Sequence, residues 1–116
     1  MKKISILLST LLFISLLPLL AEADCGGNSC TNVYVDKLSV QGNSSELVYI
    51  GTSGDEAQLD CEAHAGLYAI LDSNQGNADK IYSTLLAAQL ANKKVKIRIA
   101  TNTVGCKVAY ITLDRQ

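Results

Sequence analysis

Apolar positions along the chain change period several times, and each change marks an element. After Met1-Lys2-Lys3, residues Ile4 to Leu20 are apolar except for small hydroxyl residues and Pro18. A basic start, an apolar run and the small-x-small triplet Ala21-Glu22-Ala23 predict an export signal over residues 1–23, cleaved before Asp24. The run is short for a retained membrane helix, so no membrane insertion is expected after cleavage. Asp24 stands where lipoprotein processing would need a small residue ahead of Cys25.

Beyond the leader, Val33 to Val40 is rich in β-branched and aromatic residues and predicts a strand, ended by the turn signal Gln41-Gly42-Asn43-Ser44-Ser45. Leu47 to Thr52 predicts a second strand, paired with the first as a hairpin, and Ser53 to Glu56 a turn. From Ala57 to Ala63 apolar and polar residues alternate, which places Leu59 and Cys61 inward and Asp60 and Glu62 in water. The continuous apolar run Leu67 to Leu71 is a fourth strand candidate.

The period then becomes helical. Ser73 to Asn77 breaks the chain, with Asn77 expected as N-cap and Asp79 in the first turn. Ile81, Leu85 and Ala88 form one stripe and Tyr82, Leu86 and Leu90 an adjacent one, so the helix should dock a broad face on a sheet and end near Asn92. Val95, Ile97 and Ile99 next alternate with Lys94, Lys96 and Arg98, and Val108 to Leu113 returns after the turn Asn102 to Gly105. The fold class is therefore mainly β with one α-helix: a small twisted antiparallel sheet or partly closed barrel with the helix packed on it.

Composition limits what such a domain can do. Of 116 residues, 93 follow the leader, enough for one small domain over 24–116. Without Lys2, Lys3 and Glu22, the ten basic and eleven acidic residues fall to eight and ten, a formal net charge of −2 with His64 neutral. That balance argues against a general nucleic-acid binder. All four cysteines, Cys25, Cys30, Cys61 and Cys106, lie in this part, an even number suited to an oxidising compartment. Three pairings are possible. The favoured one joins Cys25 to Cys30 and Cys61 to Cys106, and a 45-residue loop closed by the latter is worth roughly 4 kcal/mol in chain entropy.

Candidate chemistry is sparse. His64 is the only histidine and has no nearby serine or cysteine pair of catalytic type. Cys61 and His64 have the spacing of half a zinc site without the second half, and a disulfide is the better reading of Cys61. Gly51-Thr52-Ser53-Gly54-Asp55 has neither the spacing of a nucleophile elbow nor a paired Asp-Thr-Gly, and reads as a hairpin turn. Asp60 and Glu62 read as a solvated face rather than a glycosidase pair. Asn43-Ser44-Ser45 is a glycosylation sequon only in a eukaryotic secretory pathway, and the leader looks bacterial. Lys93, Lys94, Lys96 and Arg98 make a basic patch that suits an acidic sugar, an anionic surface or an acidic partner. The plainer reading is that these cations keep the outer face of an edge strand in water. No catalytic residue, metal or cofactor is expected.

The element order, with Val35-Asp36-Lys37-Leu38-Ser39-Val40 in the first strand, an inward Cys61, and Ile81-Tyr82-Ser83 leading on to Lys94-Val95-Lys96-Ile97-Arg98-Ile99, resembles the B subunits of subtilase-cytotoxin-type bacterial toxins. It is also similar to small exported bacterial proteins of unknown role. The toxin resemblance implies an OB-fold barrel, a homopentamer and binding of cell-surface glycans, often sialylated. In those subunits a hydroxyl just before the first strand contacts the sugar, and the matching position here is Thr31. The expectation is thus a non-enzymatic module, exported to the periplasm or secreted, binding through a shallow polar surface around Thr31, Tyr34 and Thr52. The alternative is a periplasmic structural or inhibitory protein that meets an envelope protein through an interface.

Overall fold

The computed structural model describes residues 23–116; the leader expected at 1–23 thus lies, but for Ala23, outside the described residues. Six strands, β1 (Asp24–Gly26), β2 (Ser29–Val40), β3 (Leu47–Thr52), β4 (Ala69–Asp72), β5 (Lys94–Ile99) and β6 (Val108–Thr112), build one antiparallel sheet. The order is β4-β3-β2-β5-β6, with β1 folded back on the start of β2. Among the described residues there is one α-helix, α1 (Ala78–Leu90), which lies between β4 and β5 in the chain.

Strand β2 is the spine. Its first half pairs with β5, from Ser29↔Arg98 to Tyr34↔Lys94, and its second half with β3, from Val35↔Thr52 to Val40↔Val48. It starts earlier than Val33, the expected boundary, because the Ser29-Cys30-Thr31 stretch finds partners on both sides. Asp24 to Gly26 pairs with it across the Cys25–Cys30 disulfide, and β5 pairs with its other edge. Local propensity carries no sign of these contacts, which are non-local on the β5 side.

Two bulges bend this strand. The register slips once between Cys30 and Val33, where Asn32 takes φ +54°, and again between Val35 and Lys37. Each extra residue turns the side chains that follow to the other face. Cys30, Val33 and Val35 are buried, whereas Lys37, which unbroken alternation would point inward, stands in solvent. A third slip, between Arg98 and Ile99, bends β5 against β6. The sheet curls enough for its outer strands to approach at one bridge, Ile70↔Lys107, where Ile70 N–H donates to the Cys106 carbonyl at 3.1 Å. One bridge leaves the sheet open.

Val33, Val48, Ile50, Leu71, Val95, Ile97 and Ile99 fill the concave side, and α1 closes it with Ile81, Leu85 and Ala88. The second helical stripe is only partly used: Tyr82 and Leu86 are half-buried and Leu90 is exposed. The helix stops as expected, with Asn92 at φ +53° and Lys93 N–H reaching back to the Ala88 carbonyl at 2.9 Å, a left-handed C-terminal cap. Its start differs. Asn77 occupies the N-cap position at φ +60° and its side chain makes no capping bond.

The expected strand over Ala57–Ala63 is replaced by a 3₁₀ turn, Glu56–Gln58, followed by the single bridges Gly27↔Leu59 and Glu62↔Val104. The cause is local: the Asp55 carboxylate accepts from Ala57 N–H at 3.1 Å and starts the turn. The expected facing holds for Leu59, buried, and for Asp60 and Glu62, exposed, while Cys61 is half-buried against the edge of the core. The fourth strand begins at Ala69 rather than Leu67, because His64 and Tyr68 close a tight turn through Ala65 and Gly66, both at positive φ. Both favoured disulfides are present, Cys25–Cys30 and Cys61–Cys106. Among the described residues no helix is long and apolar enough to cross a membrane.

Candidate functional site: a polar groove beside the β2 bulge

The first bulge of β2 borders a concavity of about 440 Å³. Thr31, Asn32 and Tyr34 form one wall, Lys94 and Lys96 of β5 the floor, and Thr112, Asp114 and Gln116 the other wall. The bulge matters because a regular strand would alternate these side chains across the sheet, whereas the slip at Thr31–Asn32 lets both residues border one groove. Gln116 closes the far side as a strand residue would: its side-chain amide accepts from Lys94 N–H at 3.1 Å and donates to the Lys94 carbonyl at 2.7 Å.

Tyr34 is held at both backbone groups by Ser53. Its N–H donates to Ser53 Oγ at 2.9 Å, and its carbonyl accepts from Ser53 N–H at 3.1 Å. The Lys94 ammonium sits 5.4 Å from the centroid of the Tyr34 ring, within cation–π range. The groove thus offers two cations against one carboxylate, hydroxyls on both walls and one aromatic ring. It can hold an anionic, hydroxyl-rich molecule by hydrogen bonds and charge.

Of the three expected ligand-binding residues, Thr31 and Tyr34 meet here and Thr52 does not line the groove. Thr52 points into its own turn, where its N–H and hydroxyl both donate to Glu56 Oε1, at 2.7 and 2.6 Å. Gly54 N–H in turn donates to Thr52 Oγ1 at 3.1 Å. Glu56, read from the sequence only as a turn residue, is 4% exposed and organises this turn, which carries Ser53 and hence steadies Tyr34. An acidic residue in a Ser-Gly-Asp-Glu stretch looks like a solvated loop, so nothing local signals its burial.

The basic stripe also differs in setting. Strand β5 lies between β2 and β6, so its cations do not guard a sheet edge. Lys94 and Lys96 line the groove, while Arg98 lies near Asn28, whose amide oxygen, turned toward it, accepts from Nη2 at 2.8 Å. Cys61 is consumed in its disulfide, and among the described residues no group of three or more His, Cys, Asp or Glu side chains is placed to hold a metal. His64 stacks on Tyr49, with ring centroids 4.3 Å apart. Comparison with protein-family models, with curated proteins and with solved structures returned no match.

Proposed function

We propose that residues 24–116 form an exported, non-enzymatic binding module on an OB-like frame, and that the Thr31–Tyr34 groove takes a cell-surface glycan with an acidic group. Support for the frame comes from the strand order, the helix between β4 and β5, and the approach of the outer strands at Ile70 and Lys107, which together suit a partly open five-stranded barrel with β1 as an appendage. Support for export comes from the leader pattern and from two disulfides, which persist in oxidising compartments.

The observation that carries the ligand class is the composition of the groove: Lys94 and Lys96 on its floor, Thr31 and Thr112 on facing walls, and Tyr34 beside Lys94. Acidic sugars need this combination of a cation, several hydrogen-bonding groups and a ring. The test is a glycan array probed with the oxidised protein, with Thr31→Ala and Lys96→Ala as controls. Selective retention of sialylated or other acidic glycans, weakened in both variants, is the expected result; no selective retention, or retention unchanged in both variants, overturns it.

Assembly as a homopentamer belongs to the same reading, and light scattering of the oxidised protein should give about five times the monomer mass. A monomer removes the pentamer. The competing reading, an envelope protein as partner, draws on Leu67 and Val104, which are 57% and 75% exposed on loops joined through Cys61–Cys106. A monomer that copurifies with one envelope protein, and is released by Leu67→Ser with Val104→Ser, favours that partner over a glycan.

A further inference from the structure

We propose a second binding site, separate from the groove: an aromatic platform for an acidic pyranose on the outer face of β2 and β3, built from Tyr49, His64, Tyr68 and Lys37. It rests on the glycan reading only for the class of ligand and uses none of the groove residues.

The sequence scatters these four side chains over 32 positions, and three features of the fold bring them together. The second bulge of β2 turns Lys37 outward, opposite Gly51. Tyr49 and Gly51 alternate onto the same outer face of β3. Because Gly51 has no side chain, the Tyr68 ring lies against the strand there: a β-carbon at residue 51 would stand 3.4 Å from Tyr68 Cδ1 and Cε1 and 3.3 Å from Lys37 Cβ. The turn that carries His64 and Tyr68 is pinned at its base by Cys61–Cys106 and closed by His64 N–H donating to the Tyr68 carbonyl at 3.0 Å.

The resulting surface is flat and mixed in character. Tyr49 and Tyr68 are nearly parallel, 13° between planes with centroids 6.1 Å apart, and His64 lies over Tyr49 at 25°. The Lys37 ammonium stands 5.4 Å from the Tyr68 centroid and 3.4 Å from its hydroxyl. His64 and Lys37 are exposed and both tyrosines half-buried. A pyranose presents an apolar C–H face that covers such rings, and its hydroxyls reach the phenol and imidazole at the rim. One ammonium beside the rings matches one carboxylate on the sugar. A nucleic-acid strand is disfavoured because it brings many phosphates to a domain whose formal net charge is −2.

His64 is the only histidine of the chain, so its Cε1 proton is a single NMR reporter on this platform. The experiment titrates methyl β-D-glucuronide, and separately methyl β-D-glucoside, into the oxidised protein at fixed pH. The glucuronide is expected to move the His64 signal saturably. Tyr68→Ala should abolish the shift, Lys37→Gln should weaken the glucuronide about fivefold while leaving the glucoside unchanged, and Thr31→Ala should leave both titrations as in the wild type. No saturable shift overturns the proposal. So does a shift lost in Thr31→Ala and unchanged in Lys37→Gln, which assigns the sugar to the groove alone. If the groove binds nothing and His64 still titrates with the Lys37 dependence, the platform stands without it. If Tyr68→Ala fails to fold, Lys37→Gln, a change at a solvent-facing side chain, decides.

Discussion

Replacing Glu56 by alanine tests whether one buried carboxylate holds the turn that supports Tyr34. Its Oε1 accepts from Thr52 N–H and from Thr52 Oγ1, and the residue is 4% exposed. Alanine leaves two donors without an acceptor, and each stranded donor costs about 1–3 kcal/mol where water stays out. Two effects reduce the total. Thr52 is half-buried, so water reaches part of the vacated space, and the desolvation cost of the carboxylate itself disappears. The expected loss is about 2 kcal/mol, against roughly 5–14 kcal/mol for a domain of this size. With a urea m-value of about 1 kcal/mol/M, the unfolding midpoint should fall by about 2 M at unchanged m. Glu56→Gln keeps the accepting oxygen and should lose about half as much. Thr52→Val should cost less once Glu56 is alanine than in the wild type, because one of the two bonds of the Thr52 hydroxyl is then already gone while the one from Gly54 N–H remains to be lost. A midpoint for Glu56→Ala within about 0.3 M of wild type would refute the assignment.

Two further predictions concern the loops around this frame. Removing Cys61 and Cys106 together should destabilise by about 4 kcal/mol and removing Cys25 and Cys30 by about 2 kcal/mol, because the first bridge closes a 45-residue separation and the second only five; urea titration checks it, and equal losses would contradict the loop argument. Gly105→Ala should cost about 2 kcal/mol, since φ is +90° and the new β-carbon would lie 2.5 Å from Ile70 Cδ1. Ile70→Val in the same chain should recover part of that loss if the clash matters; thermal unfolding of the pair separates it from the backbone term.

The parts of the fold that were legible are those governed by neighbours in the chain. The alternation of Val95, Ile97 and Ile99 with three cations specified β5 and its facing, and the Ile81–Leu85–Ala88 stripe specified the buried side of α1. The rest depends on distant partners. Ser29 to Asn32 has weak strand propensity and became strand by pairing with β5 some seventy residues away. A bulge leaves no mark in a list of apolar positions, so the outward turn of Lys37 was hidden, as was the inward turn of Glu56. Thr31 and Tyr34 were legible as neighbours, but their meeting with Lys94 and Lys96 was not, since it takes the pairing of β2 with β5; Thr52, expected beside them, instead serves its own turn. His64 was weighed as a catalyst or metal ligand, and the stacking on Tyr49 that defines its surroundings is a tertiary contact.

The two slips in β2 also dictate how this strand can vary. Tyr34 and Lys37 lie on solvent-facing surface only because the chain carries one extra residue near Asn32 and another at Asp36. Substitution at either position changes what the surface presents and leaves every neighbour in phase. Deleting Asp36 would straighten the strand and leave Lys37 outward and Leu38 inward, whereas adding or removing a residue elsewhere in β2 would turn every following side chain to the other face. Across diverging copies of this domain, β2 should therefore change its letters freely on the outer face and change its length only at the two bulges.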